Sequence, residues 1–391
     1  MKFIVNTHIR DVSFPPISGI KKLVVGERTE NGHSYIDFSQ AIPDYAPAEP
    51  MVDYLKSRIH EDAISMYTPD EGLLSARQAA CRRYERVYDA SISPGNICLT
   101  NGASQAFWLA MVTLCAPGDE VIMQNPTYFD YDMALQMQGI KRVYAPFDAN
   151  TGGLPDASVI EKLVTPRTRA IILVSPCNPT GLVLPPEVIA SIYRLAEANN
   201  IALVIDETYA DFIAGGRMPH ELFMNRNWGD HLVHIMSFGK SYAMTGYRAG
   251  LLAASESFID EALKCHDTMA ICQTTPTQIA LEYAFDHLDS WVAEKRVMME
   301  GRHDCFRGLF DDEVNGFRLV TSGAFFAFIR HPFPGISAWE VSRRLIKECG
   351  LITLPGEIFG PGLSDYLRVA FGNIREGDLA EAVNRFTHLT R

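Results

Sequence analysis

IALVID at residues 201–206 is one of seven short runs, rich in apolar and β-branched residues, that follow one another between residues 97 and 255. Stretches with helical character separate the runs, and such alternation predicts a mostly parallel β-sheet sandwiched between layers of helices. The other six runs are ICLT (97–100), EVIMQ (120–124), RVYAP (142–146), RAIILVS (169–175), HLVHIMS (231–237) and AGLLAA (249–254). We therefore expect an α/β fold.

The pattern changes beyond residue 280. A long helical stretch is followed by short strand-like runs, a helix from Ser337 to Cys349 and a final helix, which together predict a smaller α+β domain. The strand-like runs are FRLV (317–320), AFFAFIR (324–330), LITLP (351–355) and YLRVAFG (366–372).

Composition and charge narrow the class of protein. With 391 residues, of which 47% are apolar and 21% charged, the chain is long enough for two globular domains. A net charge of −12 without clusters of Lys and Arg argues against a nucleic-acid partner. No apolar run reaches membrane-spanning length, the N-terminus lacks a secretory signal pattern, and the eight cysteines form no C-x-x-C pair. These features predict a cytoplasmic protein with reduced thiols and no membrane partner.

Five motifs follow the predicted strands, at the edge where open parallel sheets bind their ligands. A lysine among them is of special interest, because a neutral, rigidly held amine forms a Schiff base with an aldehyde and a solvated ammonium does not. Alone, each motif also fits an ordinary turn, helix cap, strand end or exposed cation. The motifs are Asn101-Gly102-Ala103-Ser104, Pro126-Thr127-Tyr128, Asn178-Pro179-Thr180-Gly181, Asp206-Glu207-Thr208-Tyr209 and Ser237-Phe238-Gly239-Lys240 with Arg248 eight residues on.

The order and spacing of these motifs resemble those of fold-type I pyridoxal-phosphate enzymes, specifically the class I/II aminotransferase (aspartate aminotransferase-like) family, from about Ile36 to the C-terminal helix. The resemblance implies a pyridoxal 5′-phosphate-dependent aminotransferase that moves an amino group between an L-amino acid and a 2-keto acid with ping-pong kinetics. It also implies a large cofactor-binding domain over residues 48–280 and a discontinuous small domain made of residues 1–47 and 281–391.

The phosphate of such a cofactor is a dianion, which backbone N–H groups at a helix start and a cation hold best. A helix that opens at Gly102-Ala103-Ser104 directly after a strand meets the first need, because only small residues allow so close an approach. The resemblance adds the Ser237 hydroxyl and the Arg248 guanidinium, whose planar fork suits a phosphate.

The remaining cofactor contacts are implied by the same resemblance. Lys240 would form the Schiff base and shuttle the proton, and Asp206 would keep the pyridine nitrogen protonated. Asp206 closes an apolar run, where an unpaired carboxylate is costly. Asn178 and Tyr209 would hydrogen-bond the phenolic oxygen, and Tyr128 would stack on the ring.

Substrate and subunit contacts complete the implied site. Arg368, in Tyr366-Leu367-Arg368-Val369-Ala370, matches the arginine that anchors the substrate carboxylate, and Asn178 and Ala41 would lie beside it. Tyr67 resembles the tyrosine that reaches the phosphate of a neighbouring subunit, which implies a homodimer with shared active sites.

The chain departs from the family pattern at three places. Gly239 stands where many relatives have Ser or Ala, and Ala41 stands where relatives often have Gly beside the substrate carboxylate. The segment Met269-Ala270-Ile271-Cys272 lacks the arginine that dicarboxylate-specific relatives place there, which disfavours classical aspartate specificity.

Other functions use the same residues and stay open at this point. A pyridoxal-phosphate-dependent carbon–sulfur β-lyase or another α-carbanion enzyme of this fold would keep the same cofactor contacts, whereas a non-catalytic regulator would be expected to lose Lys240, Asp206 or Arg368. A metal site is disfavoured, because His231 and His234 lie three apart in a predicted strand, point to opposite faces, and join no visible Cys or Glu cluster.

Overall fold

The computed structural model describes residues 3–29, 31–310 and 313–390. The strands in chain order are β1 (Ile36–Asp37), β2 (Ile97–Asn101), β3 (Glu120–Met123), β4 (Lys141–Tyr144), β5 (Thr168–Val174), β6 (Ala202–Asp206), β7 (Leu232–Ser237), β8 (Ala249–Ala253), β9 (Glu313–Val314), β10 (Phe317–Gly323), β11 (Phe326–Arg330), β12 (Leu351–Ile352), β13 (Leu354–Pro355) and β14 (Tyr366–Ala370). The α-helices are α1 (Thr7–Arg10), α2 (Pro16–Lys21), α3 (Glu49–Arg58), α4 (Leu74–Tyr88), α5 (Ala103–Leu114), α6 (Phe129–Met137), α7 (Ala157–Glu161), α8 (Pro186–Asn199), α9 (Phe238–Ser241), α10 (Glu256–Ala270), α11 (Thr275–His287), α12 (Asp289–Phe310), α13 (Ala338–Arg344) and α14 (Glu376–Asn384).

Seven strands form the large sheet in the order β2-β8-β7-β6-β5-β3-β4. Strands β7, β6, β5, β3 and β4 pair in parallel, and β8 runs antiparallel to both of its neighbours. The predicted α/β fold with a mostly parallel sheet is therefore confirmed. The carboxyl ends of β2, β6 and β7 meet at one edge of this sheet, where a crevice for a ligand is expected.

Alternating side chains along the strands explain why helices cover both faces of this sheet. On β6, Leu203 and Ile205 pack with α4, α8 and α11, while Ala202 and Val204 pack with α5, α6 and α10 on the other face. All these residues are almost completely buried, so the strand is apolar throughout instead of alternating with polar residues. Continuous apolar runs in the sequence thus reflect two buried faces.

A second sheet has the order β13-β14-β11-β10-β9 and is antiparallel between neighbouring strands. Helices α12, α13 and α14 pack on it around a core rich in phenylalanine. The N-terminal part of the chain reaches this region, because β1 pairs in parallel with β12. The predicted smaller α+β part is present, and the exact division into residues 48–280 and the two flanking segments stays a prediction.

The N-terminal segment also packs against a helix of the large sheet and a strand of the second sheet. Ile20 on α2 is fully buried in a cluster that contains Phe129 and Met133 of α6 together with Phe328 and Phe359. Within the described ranges, no helix combines the length and the apolar character that a bilayer crossing requires.

Candidate active site

A pocket opens at the carboxyl edge of the large sheet and brings together most of the residues that the sequence predicted. Each of the five motifs contributes to its wall, although more than a hundred residues separate the first from the last. The lining residues are Ala103, Ser104, Tyr128, Tyr131, Asn178, Asp206, Thr208, Tyr209, Ser237, Lys240 and Arg248.

Lys240 lies on the short helix α9, directly after the central strand β7. The Ser237 side chain accepts a hydrogen bond from the Gly239 amide at 3.3 Å and so fixes the start of this turn. Burial, assisted by the positive charges of Arg248 and Arg368, lowers the pKa of the Lys240 amine to about 8. A substantial neutral fraction near physiological pH is what a nucleophilic lysine needs.

Asp206 ends β6 and is only 5% exposed, yet both of its carboxylate oxygens are satisfied. Oδ1 accepts hydrogen bonds from the Thr208 amide at 2.9 Å and the Thr208 hydroxyl at 2.7 Å, and Oδ2 accepts one from the Tyr131 hydroxyl at 2.5 Å. Burial raises the pKa of Asp206, and these hydrogen bonds oppose the shift. The carboxylate is thus held in one orientation at the floor of the pocket.

Tyr131 and Thr208 are the two pocket residues that sequence reasoning missed. Thr208 lies inside the Asp206–Tyr209 motif, and Tyr131 lies in the first turn of α6, three positions after Tyr128, the residue that caps the start of this helix. Tyr131 also stacks on Phe107 of α5, with ring centroids 3.8 Å apart. Helical spacing was the signal that could have found it.

The other end of the pocket joins a helix start to an arginine. Gly102 precedes α5 with a φ of 84°, and a Cβ on it would lie 2.5 Å from Nη2 of Arg248, so a side chain there would collide with the guanidinium. Arg248 is exposed and left-handed, with φ 57° and ψ 50°. Its Nη1 donates to the Thr245 carbonyl at 3.2 Å and its Nη2 to the Asn101 carbonyl at 3.4 Å.

Arg368 enters the site from β14 of the second sheet and is 1% exposed. Its Nη1 donates to Asn178 Oδ1 at 3.0 Å and its Nη2 donates to the Ser39 carbonyl, while Nε has no partner within the described residues. Burial lowers the pKa of this guanidinium to about 10. A buried cation that lacks a carboxylate and keeps one free N–H is suited to bind a carboxylate ligand.

Four predicted residues do not line the pocket: Gly102 and Arg368, which contact its lining residues Arg248 and Asn178, and Tyr67 and Ala41. Tyr67 is 78% exposed on the loop before α4, so within one chain it does not reach the site. Ala41 is buried among the phenylalanine-rich core that contains Tyr209 and Phe325, behind the pocket wall. Their predicted roles stay predictions.

The expectation that His234 joins no cluster is wrong. Strand β7 begins at Leu232, so His231 lies outside it, and His234 points into the core toward Glu207 and His220. Nε2 of His234 lies 3.0 Å from Glu207 Oε2, and Nε2 of His220 lies 3.6 Å from the same oxygen. Glu207 and His220 come from loops that tertiary structure alone brings beside the strand.

Within this cluster Glu207 is hydrogen-bonded to Tyr88 and His234, whereas Nε2 of His220 lies beyond hydrogen-bonding distance of it. Nδ1 of His220 accepts from the Leu222 amide at 3.2 Å, so in the neutral ring Nε2 carries the proton and cannot ligate a metal. The Tyr88 hydroxyl donates to Glu207 Oε2 at 2.5 Å. Burial lowers the pKa of His220 to about 4 and that of His234 to about 3, which keeps both rings neutral at physiological pH.

The pocket residues fit pyridoxal phosphate at each end of the molecule. A buried acid lies on the floor, a lysine with a lowered pKa lies beside it, and the mouth has a helix start and an arginine whose approach requires glycine at position 102. A central lysine between an acid and an anion-binding helix start is typical of enzymes that hold this cofactor.

Comparison with known proteins leads to the same class. The family model for aminotransferase class I and II matches residues 33–386. An aromatic aminotransferase of Arabidopsis thaliana is 29% identical over 90% of this chain and 88% of its own length, and an aspartate aminotransferase of Sulfolobus acidocaldarius is 28% identical over 92% and 90%. The structure of an aspartate aminotransferase from Thermus thermophilus with maleate has the same fold, with a TM-score of 0.89 at 23% identity over 99% of this chain and 100% of that one.

The chain therefore belongs to the class I and II aminotransferase family. Membership confirms the predicted family and fold, the activity of a pyridoxal-phosphate-dependent aminotransferase, and pyridoxal phosphate as the cofactor. The substrates of this class of enzyme are amino acids and 2-keto acids.

Proposed function

We propose that the pocket around Lys240 is the active site of a transaminase with ping-pong kinetics, in which Lys240 carries the cofactor covalently and moves the substrate proton. The observation that carries the proposal is the Lys240 amine, whose pKa burial lowers to about 8 and which lies between the Asp206 floor and the Arg248 mouth. An ordinary surface lysine would be protonated and solvated.

At the mouth of the pocket, the N–H groups that open α5 at Gly102-Ala103-Ser104 bind the cofactor phosphate together with the Ser237 hydroxyl and the Arg248 guanidinium. The positive end of a twelve-residue helix and a planar cation both favour a dianion. The close approach of Gly102 to Arg248 supports this role, because both groups then face one small volume.

At the floor, Asp206 keeps a proton on the pyridine nitrogen, and the Tyr131 and Thr208 hydrogen bonds hold the carboxylate in place for it. Asn178 and Tyr209 donate to the phenolic oxygen, and Tyr128 covers the ring face. When bound, pyridoxal phosphate supplies an electron-accepting ring that stabilises the negative charge left on Cα after proton removal.

Lys240 performs the proton transfers. As a neutral base, the Lys240 amine would take the proton from the substrate Cα and hold it for the return transfer. A pKa near 8 suits both directions, since the amine gains and loses the proton easily near neutral pH. The keto acid leaves before the acceptor binds, which gives ping-pong kinetics.

Arg368 orients the substrate by binding its α-carboxylate. The guanidinium is fixed by Asn178 and the Ser39 carbonyl and lies over the rings of Phe326 and Phe359, at 5.3 and 5.4 Å from their centroids. By binding the α-carboxylate in one position, this cation determines which bond of the substrate Cα is oriented toward the cofactor ring. The bond that is oriented in this way is the one that breaks, which decides between transamination and other reactions.

We propose amino acids with uncharged side chains as the preferred donors. The segment Met269-Ala270-Ile271-Cys272 offers no cation for a side-chain carboxylate. The named relatives include aromatic as well as aspartate aminotransferases, so both specificities occur among proteins this similar.

A homodimer in the cytoplasm completes the proposal. Tyr67 and the neighbouring Met66 are 78% and 66% exposed, which leaves them free to reach the phosphate site of a second copy. Eight free cysteines, half of them buried, support a reducing compartment.

The experiment measures both catalytic turnover and the visible absorbance of the bound cofactor. The protein loaded with pyridoxal phosphate is assayed against panels of amino acids and 2-keto acids, beside Lys240→Ala and the surface control Lys264→Ala. We expect keto acid formation that requires an acceptor, and loss of both turnover and the visible absorbance band only in Lys240→Ala. Ammonia and pyruvate from one substrate without an acceptor would instead favour the β-lyase, and a colourless, inactive wild type would favour the regulator.

A further inference from the structure

We infer that Gln273 is a positioning residue for the phosphate end of the site, acting through the backbone of Thr100 and Arg248. Gln273 lies in the connection between α10 and α11, is fully buried, and does not line the pocket. The inference rests on the phosphate role proposed for Gly102 and Arg248.

The amide of Gln273 joins two segments that are far apart in the chain. Its Nε2 donates to the Thr100 carbonyl at 2.8 Å and also to the Arg248 carbonyl. Its Oε1 accepts from the Thr274 amide. A flipped amide would place its oxygen against two carbonyls, so the hydrogen-bonding pattern permits only this orientation.

Each of the two carbonyls belongs to a segment that forms part of the phosphate end: the Thr100 carbonyl to the turn into α5, and the Arg248 carbonyl to the arginine itself. The Thr100 carbonyl also accepts from the Gly102 amide at 2.8 Å, and the Thr100 hydroxyl donates to the Gly102 carbonyl at 3.1 Å, which shapes the turn into α5. Arg248 is an arginine in the left-handed region, a backbone conformation that L-residues keep only where neighbours hold it.

Residues near Gln273 also stabilise the backbone conformation of Arg248. The Thr277 hydroxyl donates to the Tyr247 carbonyl at 2.8 Å, so the peptide carbonyls before and after the Arg248 Cα both accept hydrogen bonds. The Gln278 amide in turn donates to the Gln273 carbonyl at 2.5 Å and to the Thr68 hydroxyl at 2.9 Å. The connection is therefore a buried polar network with Gln273 at its centre.

A strained turn at Ile271 positions Gln273 beside the Thr100 and Arg248 carbonyls. Ile271 has φ 63° and ψ −66°, and the Cys272 amide donates to the Ala270 carbonyl at 2.7 Å, which is the geometry of a γ-turn that β-branched residues rarely adopt. Strain of this kind persists where the surrounding contacts over-determine the backbone. Here the amide of Gln273 supplies those contacts two residues later.

Loss of the amide would remove its hydrogen bond to the Arg248 carbonyl and would leave the Thr100 carbonyl with the Gly102 amide as its donor. Arg248 would then be free to leave the left-handed conformation, and its guanidinium would move from Gly102. The expected consequence is weaker binding of the phosphate group, with the lysine, the acid and the ring contacts unchanged, because Gln273 touches none of these.

The experiment compares two aldehydes on the apoprotein. Pyridoxal phosphate and pyridoxal, which lacks the phosphate, are titrated into wild type, Gln273→Ala and the isosteric Gln273→Glu. The ratio measured is the Kd of pyridoxal divided by the Kd of pyridoxal phosphate. Gln124→Ala is the matched control, since Gln124 is a buried glutamine of the same sheet that binds the Val174 amide at 3.1 Å. Thermal unfolding is recorded for all variants.

We expect both Gln273 variants to weaken pyridoxal phosphate about tenfold and leave pyridoxal unchanged, so that the ratio falls about tenfold while Gln124→Ala keeps it. An equal loss for both aldehydes, or no loss, would overturn the inference. Should Gln273→Ala and Gln273→Glu both fail to fold, Thr277→Val tests the same hold on Arg248 and must lower the ratio. A wild type that binds both aldehydes equally would instead contradict the proposed phosphate role itself.

Discussion

The two ends of the pocket are built in different ways. The phosphate end, formed by Gly102-Ala103-Ser104, Ser237 and Arg248, consists of strand ends and a helix start of one sheet, and its arginine is exposed. The carboxylate end, formed by Arg368, Asn178 and Ser39, joins two sheets and the N-terminal segment, and its arginine is 1% exposed. An exposed cation loses little when its ligand leaves, whereas a buried one depends on every partner.

This difference predicts that substitutions at the carboxylate end cause the larger loss of activity and weaken substrate binding. Substitutions at the phosphate end should cause a smaller loss and weaken cofactor binding. It also predicts that a substitution at one end leaves binding at the other end unchanged, because the carboxylate end is held by contacts between the two sheets and the phosphate end by contacts within one sheet.

The largest effect is expected from Arg368→Ala. Removal of a buried charge that is hydrogen-bonded on two sides costs about 4 kcal/mol in transition-state binding, so kcat/KM should fall about 1000-fold with the Kd of pyridoxal phosphate nearly unchanged. The exposed Arg330→Ala on the same sheet is the control. A parallel loss of cofactor affinity would show that the two ends are one unit.

Arg248→Ala should weaken cofactor binding and leave substrate binding nearly unchanged, the opposite of the result expected for Arg368→Ala. The Kd of pyridoxal phosphate is expected to rise about 30-fold, since one charge-assisted contact to the phosphate is lost, while KM for the amino acid at saturating cofactor changes little. Arg169→Ala is the control, since Arg169 is an ion-paired arginine on β5 of the same sheet. A dominant effect on KM would contradict the contrast between the ends.

Tyr131→Phe tests the floor that lies between the ends. Loss of the 2.5 Å hydrogen bond to Asp206 should lower kcat about tenfold with little change in either Kd, because the carboxylate loses orientation but stays buried. Tyr144→Phe removes a comparable tyrosine–aspartate hydrogen bond at the end of β4 and should leave kcat unchanged. Equal effects of the two substitutions would argue against a role for Tyr131 in holding Asp206.

The smallest effect is a pH dependence of cofactor attachment to the apoprotein. Only the neutral Lys240 amine attacks the aldehyde, and burial lowers its pKa to about 8, so the rate should rise up to about pH 8 and then level off. An unperturbed lysine, with a pKa near 10.4, would keep accelerating to about pH 10. Stopped-flow absorbance separates the two profiles, and Arg368→Ala should move the midpoint upward by removing a nearby positive charge.

Local sequence was sufficient wherever a site residue follows a strand directly. Gly102, Asp206, Ser237 and Lys240 lie at strand ends, so the sheet that the apolar runs predict places all of them at one edge. Their roles followed from a resemblance in order and spacing, and the structure brings Asp206, Ser237 and Lys240 into one pocket, with Gly102 beside its lining residue Arg248.

Contacts between distant segments were beyond sequence reasoning. The Glu207, His220 and His234 cluster, the Gln273 amide on Thr100 and Arg248, and the Ser39 carbonyl on Arg368 each join residues with no common local pattern. Which side chains meet across such separations depends on how helices and sheets pack, and packing is a property of the whole chain.

By itself, then, the sequence determined the sheet, the edge at which the ligand binds and the cofactor chemistry, because short apolar runs and the motifs that follow them are local features of the chain. Only the tertiary structure decided how the cations are held: Arg248 exposed and left-handed under the Gln273 amide, and Arg368 buried between Asn178 and Ser39. The physical reason is that burial and hydrogen-bond partners, which set the pKa and the position of each charge, come from residues that are neighbours in space and not in sequence.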